Sequence, residues 1–172
     1  MTERKGNNLG KFIIGMLVLN QSGVLTRISG MFARRGFNID SLVVGVTESD
    51  EISRMTITMT GDESDRDQII KQLEKLHDVY EIKEMIPNGI VSRELILIKV
   101  AANSTNRQEI MDAVSVFRSK IIDFAPESLC IEMTGETGKL EAFIELMKPY
   151  GIIELCRTGT VSMDRGPKSL KK

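Results

Sequence analysis

Between Arg54 and Thr60 the chain alternates strictly: Met55, Ile57 and Met59 fall on one side, and Arg54, Thr56, Thr58 and Thr60 on the other. A period of two belongs to a β-strand. A strand with one apolar and one polar side predicts an antiparallel sheet, buried on one face and solvated on the other. The surrounding chain must then supply partner strands and a cover for the apolar face. Upstream, Phe12 to Leu19 is a continuous apolar run. Leu25, Ile28 and Phe32 follow at helical spacing, with Arg34, Arg35 and Gly36 suited to a helix C-terminus. A strand is expected from Phe37 to about Val46, turning through Glu48 to Glu51 into the alternating strand, which Gly61-Asp62 ends. Ile69, Ile70, Leu73 and Leu76 form a second helical stripe, and Asp78 to Met85 a closing strand. The order is β-α-β-β-α-β, the ferredoxin-like pattern.

Pro87-Asn88-Gly89 breaks the chain, and the pattern then restarts. Leu95 to Ile98 opens a strand, and Ile110, Met111, Val114 and Phe117 make a helix stripe. Ile121-Ile122 and Leu129 to Ile131 give two strands; Leu140, Phe143, Ile144 and Met147 make a second helix, and Ile152 to Met163 a last strand. The prediction is an α+β fold of two β-α-β-β-α-β units, each an antiparallel sheet with helices on one face. The expected boundaries are residues 10–86, residues 87–166 and a flexible basic tail over 167–172. Laid on each other, the halves place Asn20 over Asn103, Gly23 over Asn106 and Asn38 over Ile121.

Composition removes several function classes. With 41% hydrophobic and 27% charged residues the chain is globular, and a formal net charge of -1 gives no basic field for nucleic acid or a membrane surface. Two tyrosines and six phenylalanines offer no base-stacking platform on the alternating strand. The Phe12 to Leu19 run is too short to span a bilayer, and the polar stretch before it lacks the core of an export signal, so a cytoplasmic location is expected. Cys130 and Cys156 lie in apolar, strand-like stretches and are expected as buried, reduced thiols.

Catalytic chemistry is hard to place. The single histidine, His77, follows a helix stripe beside Asp78, where a solvated ring is expected. A phosphate loop over Gly135-Glu-Thr-Gly-Lys139 would need Gly at 133 and Ser or Thr at 140, where the chain has Met133 and Leu140. A strand-to-helix turn with Thr137 as cap is the better reading. No catalytic residue, metal site or cofactor is expected in this chain.

One segment invites a ligand. Asn20-Gln21-Ser22-Gly23-Val24-Leu25 joins the first strand to the first helix. Gly23 allows close backbone approach, and the N–H groups at the start of a helix attract a carboxylate. Asn20 both donates and accepts, and Asn38 is a polar residue able to face the same pocket or a partner chain. Asn-x-Ser-Gly is equally ordinary turn chemistry, so spacing alone leaves both readings open.

The stretch Asn20 to Leu42 resembles the opening of the acetolactate synthase small subunits, also called acetohydroxyacid synthase regulatory subunits, whose N-terminal unit is of the ACT-domain class. Ser53-Arg54-Met55-Thr56, Gln68 to Leu76, Arg93-Glu94-Leu95, Phe117-Arg118, Tyr150-Gly151-Ile152 and Arg157-Thr158-Gly159 extend the resemblance over residues 12–166. It departs at the first eleven residues and at Thr160 to Asp164, where a more apolar strand is expected. The resemblance implies a non-catalytic subunit of branched-chain amino acid biosynthesis. It would form a homodimer through the ACT domain and activate a large catalytic subunit carrying thiamine diphosphate, magnesium and FAD. Valine, with leucine or isoleucine as alternatives, would inhibit by binding between two ACT domains. Asn20, Gln21, Ser22, Gly23, Val24 and Leu25 of one chain would hold its backbone groups, and Asn38 and Ile39 of the paired chain would complete the pocket. A free-standing amino-acid sensor or transcriptional regulator is the alternative, although no DNA-binding helix pair or basic stripe is evident.

Overall fold

The computed structural model describes residues 9–171. It divides into two compact units, one formed by the residues up to Val91 together with those from Val161 onward, the other by Ser92–Thr160.

In the first unit the elements run β1 (Gly10–Leu19), α1 (Val24–Arg34), β2 (Ser41–Val46), β3 (Ile52–Gly61), α2 (Glu63–Leu73) and β4 (Val79–Glu84). The strands form an antiparallel sheet in the order β2-β3-β1-β4. Register explains the core. Ile14 faces Ile57 and Met16 faces Met55 across the β1–β3 pair, so every second residue of both strands meets the helices. Ile28, Phe32, Ile69 and Leu73 from α1 and α2 complete that core, all at most 1% exposed. Helix α1 stops where Gly36 takes a φ of +70°, and α2 starts in a capping box in which Asp62 and Asp65 each accept the other's backbone N–H.

The second unit repeats the plan with β5 (Ile90–Ala101), α3 (Arg107–Phe117), β6 (Lys120–Ala125), β7 (Ser128–Gly135), α4 (Thr137–Met147) and β8 (Ile152–Arg157), in the order β6-β7-β5-β8. Its core is Ile96, Ile98, Leu129, Ile131, Leu140 and Phe143, each 0% exposed. The two sheets share one strand order, so the repeat weakly visible in the sequence is a repeat of topology. Both Gly23 and Asn106 stand as N-cap residues of their helices, as the overlay of the halves expects.

The last residues depart from expectation. β9 (Val161–Asp164) pairs with β5, and the chain after it lies on the first unit rather than trailing as a free tail. Arg54 Nη2 donates to the Ser162 carbonyl at 2.7 Å, Lys83 pairs with Asp164 at 2.6 Å, and Lys171 pairs with Glu48. Leu170 is 5% exposed. Gly15 makes room for it: a Cβ there would sit 2.9 Å from Met85 Sδ and 3.2 Å from Leu170 Cδ1.

Other expectations shift locally. The strand expected from Phe37 begins at Ser41, because the chain is still leaving α1: the Phe37 N–H donates to the Phe32 carbonyl. The single last strand is two, broken by Gly159 at φ +83°. The polar side of β3 is not wet at its centre. Thr56 and Thr58 are buried, flanked by Val43 with Gly15 and by Ser41 with Ile13, and Thr58 shares a 2.6 Å hydrogen bond with the Ser41 hydroxyl. Cys130 is half-buried and Cys156 exposed, because they pair with Lys99 and Leu97 on the sheet face away from α3 and α4, and Cys156 lies on edge strand β8. Thr137 is the first residue of α4, not its cap; its hydroxyl donates to Glu94.

Candidate functional site

The loop from Asn20 to Gly23 is held from behind. Asn20 N–H donates to the Glu51 carbonyl at 2.8 Å, its side-chain Nδ2 donates to the Asp50 carbonyl at 2.8 Å, and its Oδ1 accepts from the Ser53 hydroxyl at 3.1 Å. The residue expected to face a ligand is therefore also the brace between the end of β1 and the turn before β3. Gln21 and Ser22 are exposed, and the Gln21 carbonyl accepts the Val24 N–H at 3.4 Å, a long contact. Gly23 has φ +86° and carries α1 into its first turn with no side-chain cap and no acidic residue there. The start of α1 thus has neither a capping side chain nor an acidic residue of its own first turn to answer its partial positive charge. Val24 turns into the core at 2% exposure, whereas Leu25 is 46% exposed and can wall a site.

The second unit handles the same junction differently. Asn103 Oδ1 accepts from the Thr105 N–H, the Thr105 hydroxyl and the Asn106 N–H at 2.8, 2.6 and 3.1 Å. Asn106 Oδ1 in turn accepts the Asn103 N–H at 2.8 Å. The loop before α3 satisfies its own donors; the loop before α1 does not.

Asn38 and Ile39 lie beyond the other end of α1. Asn38 is exposed and donates to Asp40 at 3.2 Å; Ile39 is half-buried against the first core. Eleven helical residues separate the two groups, roughly 16 Å at about 1.5 Å per residue. One chain alone does not bring them together.

Two residues beside the loop carry no motif of their own. Arg27, one turn into α1, donates from Nε and Nη2 to the two carboxylate oxygens of Asp78 at 2.6 and 2.9 Å. The Asp78 carbonyl also accepts the Leu19 N–H at 2.9 Å. Hydrogen bonding to Arg27 holds the Asp78 carboxyl below its ordinary pKa and raises that of the guanidinium. Only a fold that brings β4 beside β1 makes them neighbours, so nothing in the local sequence signals the pair. His77, next to Asp78, is exposed. Among the described residues no three His, Cys, Asp or Glu side chains gather as a metal site, and no helix is long and apolar enough to cross a membrane.

Residues 14–81 match the family described as an AHAS small subunit-like ACT domain, and residues 93–166 match the family described as the small subunit of acetolactate synthase. The chain belongs to the acetolactate synthase small subunit family. It is 49% identical over 157 residues to the acetolactate synthase small subunit of Mycolicibacterium smegmatis, covering 91% of this chain and 92% of that one. It is 50% identical over 158 residues to the probable small subunit of Archaeoglobus fulgidus, covering 92% and 99%. The crystal structure of the small subunit from Thermotoga maritima superposes with a TM-score of 0.84 at 41% identity, covering 92% of this chain and 99% of that one. Membership makes this a small regulatory subunit with ACT-type units.

Proposed function

We propose that the chain is the non-catalytic regulatory partner of a large acetolactate synthase subunit. It activates that enzyme and makes it inhibitable by valine, which binds between the N-terminal units of two paired chains. The observation that carries this is the uncapped, acid-free start of α1 behind Gly23, with Asn20 fixed beside it. A helix terminus of this kind suits the carboxylate of an amino acid, Asn20 and Asn38 offer amide groups to its polar end, and Leu25 offers an apolar wall. Because Asn38 and Ile39 lie past the far end of α1, a pocket using both groups takes two chains, which supports a homodimer. Thiamine diphosphate, magnesium and FAD belong in this reading to the catalytic partner. An apolar wall separates side chains one methylene apart by only ~1–3 kcal/mol, so leucine and isoleucine compete at the same place.

Calorimetry of the purified chain with valine, leucine and isoleucine tests the reading, alongside inhibition of the reconstituted enzyme. Asn20→Ala and Gly23→Asp are expected to abolish valine inhibition and leave activation in place. Variants that remain fully valine-sensitive would remove the site from this loop, and no heat with any of the three amino acids would remove the effector.

A further inference from the structure

The ion pair of Arg27 with Asp78 leaves part of the arginine free. Nε and one N–H of Nη2 are spent on the two carboxylate oxygens, which leaves three of the guanidinium's five N–H groups, two of them on Nη1. That nitrogen lies over the loop: a Cβ built on Gly23 would be 3.2 Å from it. Arg27 is 50% exposed, so a ligand can reach it, and α1 has no acidic residue in its first turn to compete for it. Asp78 is itself pinned, its backbone carbonyl accepting from Leu19 at the end of β1. The guanidinium is therefore held in one orientation by the same strand ends that frame the loop.

We propose that Arg27 is a ligand-binding residue of this site, its Nη1 donating to the carboxylate of the bound amino acid while Asp78 fixes its orientation. The proposal rests on the effector reading above and adds the charged donor that reading lacks. It also gives Gly23 a second role. Beyond its positive φ, any side chain there would press on Nη1, and an aspartate would place a carboxylate against both Nη1 and the helix start, occupying the ligand's position from within.

Arg27→Gln and Asp78→Asn break the same ion pair, but only the first removes the charged donor. Valine binding to the full-length chain is measured by calorimetry for both, with thermal unfolding confirming that each is folded. Arg27→Gln is expected to weaken valine by about tenfold to a hundredfold, the usual range for a lost charge-assisted hydrogen bond. Asp78→Asn, which keeps the guanidinium, is expected to weaken it markedly less. Arg27→Lys, keeping a charged donor on a similar stem, is expected to recover part of the loss. Equal weakening in Arg27→Gln and Asp78→Asn would reduce the pair to a brace for the loop and overturn the proposal. A larger loss in Asp78→Asn, an unchanged affinity in Arg27→Gln, or Arg27→Lys behaving as Arg27→Gln would overturn it too. A native chain that takes up no valine would instead sink the effector reading, a separate result.

Discussion

Leu170 fills the space that a side chain at position 15 would need, its Cδ1 lying 3.2 Å from where Gly15 would carry a Cβ. A glycine inside a strand ordinarily weakens it; here it lets the end of the chain lie against the sheet. Gly15→Val is expected to lower stability by about 1–3 kcal/mol through overpacking, and Leu170→Ala by about 2 kcal/mol through the void it leaves. The residues are in contact, so the double variant should be less destabilised than the sum of the two. Urea unfolding midpoints of the three variants check this, and additive losses would show that the clash at position 15 is with Met85 rather than with Leu170.

The Asp62–Asp65 capping box gives α2 a start that α1 lacks. Asp62→Ala is expected to lower stability by about 1 kcal/mol, without changing valine binding. A thermal melt beside a calorimetric titration separates the two effects.

Glu94 is 4% exposed in its side chain and is met by Arg157 Nε at 2.7 Å, while Arg157 Nη1 reaches Glu141 at 2.7 Å. Removing the arginine strands a buried carboxylate. Arg157→Met is expected to destabilise the second unit by about 3 kcal/mol, and adding Glu94→Leu to recover much of that. Chemical denaturation of the single and double variants checks it; no recovery in the double variant would mean that Glu94 carries no unpaired-charge penalty.

The Asp78 carboxyl is held below its ordinary range by the hydrogen bond from Arg27. Such a group contributes stability above its unfolded-chain pKa of about 3.9 and loses it as pH falls through the lower folded value. The stability difference between the native chain and Asp78→Asn should be constant near neutrality and shrink as pH drops below about 4. A series of unfolding curves from pH 7 to pH 3 gives the profile; a difference that grows toward acid would reverse the assigned sign.

Asn20 and Asn103 occupy matching places and hold different loops. Asn103→Ala should lower stability by roughly 1 kcal/mol and leave valine inhibition intact, whereas Asn20→Ala should remove the inhibition. Assays of both variants in the reconstituted enzyme test the contrast.

Periodicity exposed the elements that contact only their neighbours in the repeat. The alternation at Met55, Ile57 and Met59 and the stripe of Leu25, Ile28 and Phe32 place β3 and α1 within a few residues of their observed bounds. The loop before α1 was legible because Gly23 sits at a junction between two periods. What stayed hidden depends on residues far apart in the chain. Leu170 is one apolar residue among Lys168, Lys171 and Lys172, so local composition reads as a solvated end; its burial is decided by Gly15, more than 150 residues away. Arg27 and Asp78 read as ordinary surface charges until β4 is paired with β1. Cys156 looked buried because its neighbours are apolar, but an edge strand leaves one of its flanks open.

The three hydrogen bonds around Asn20 have a thermodynamic consequence. Asn20, fastened to Glu51, Asp50 and Ser53 before any ligand arrives, has already surrendered its conformational entropy during folding. A small molecule that bound at this residue would have little further ordering to impose on it.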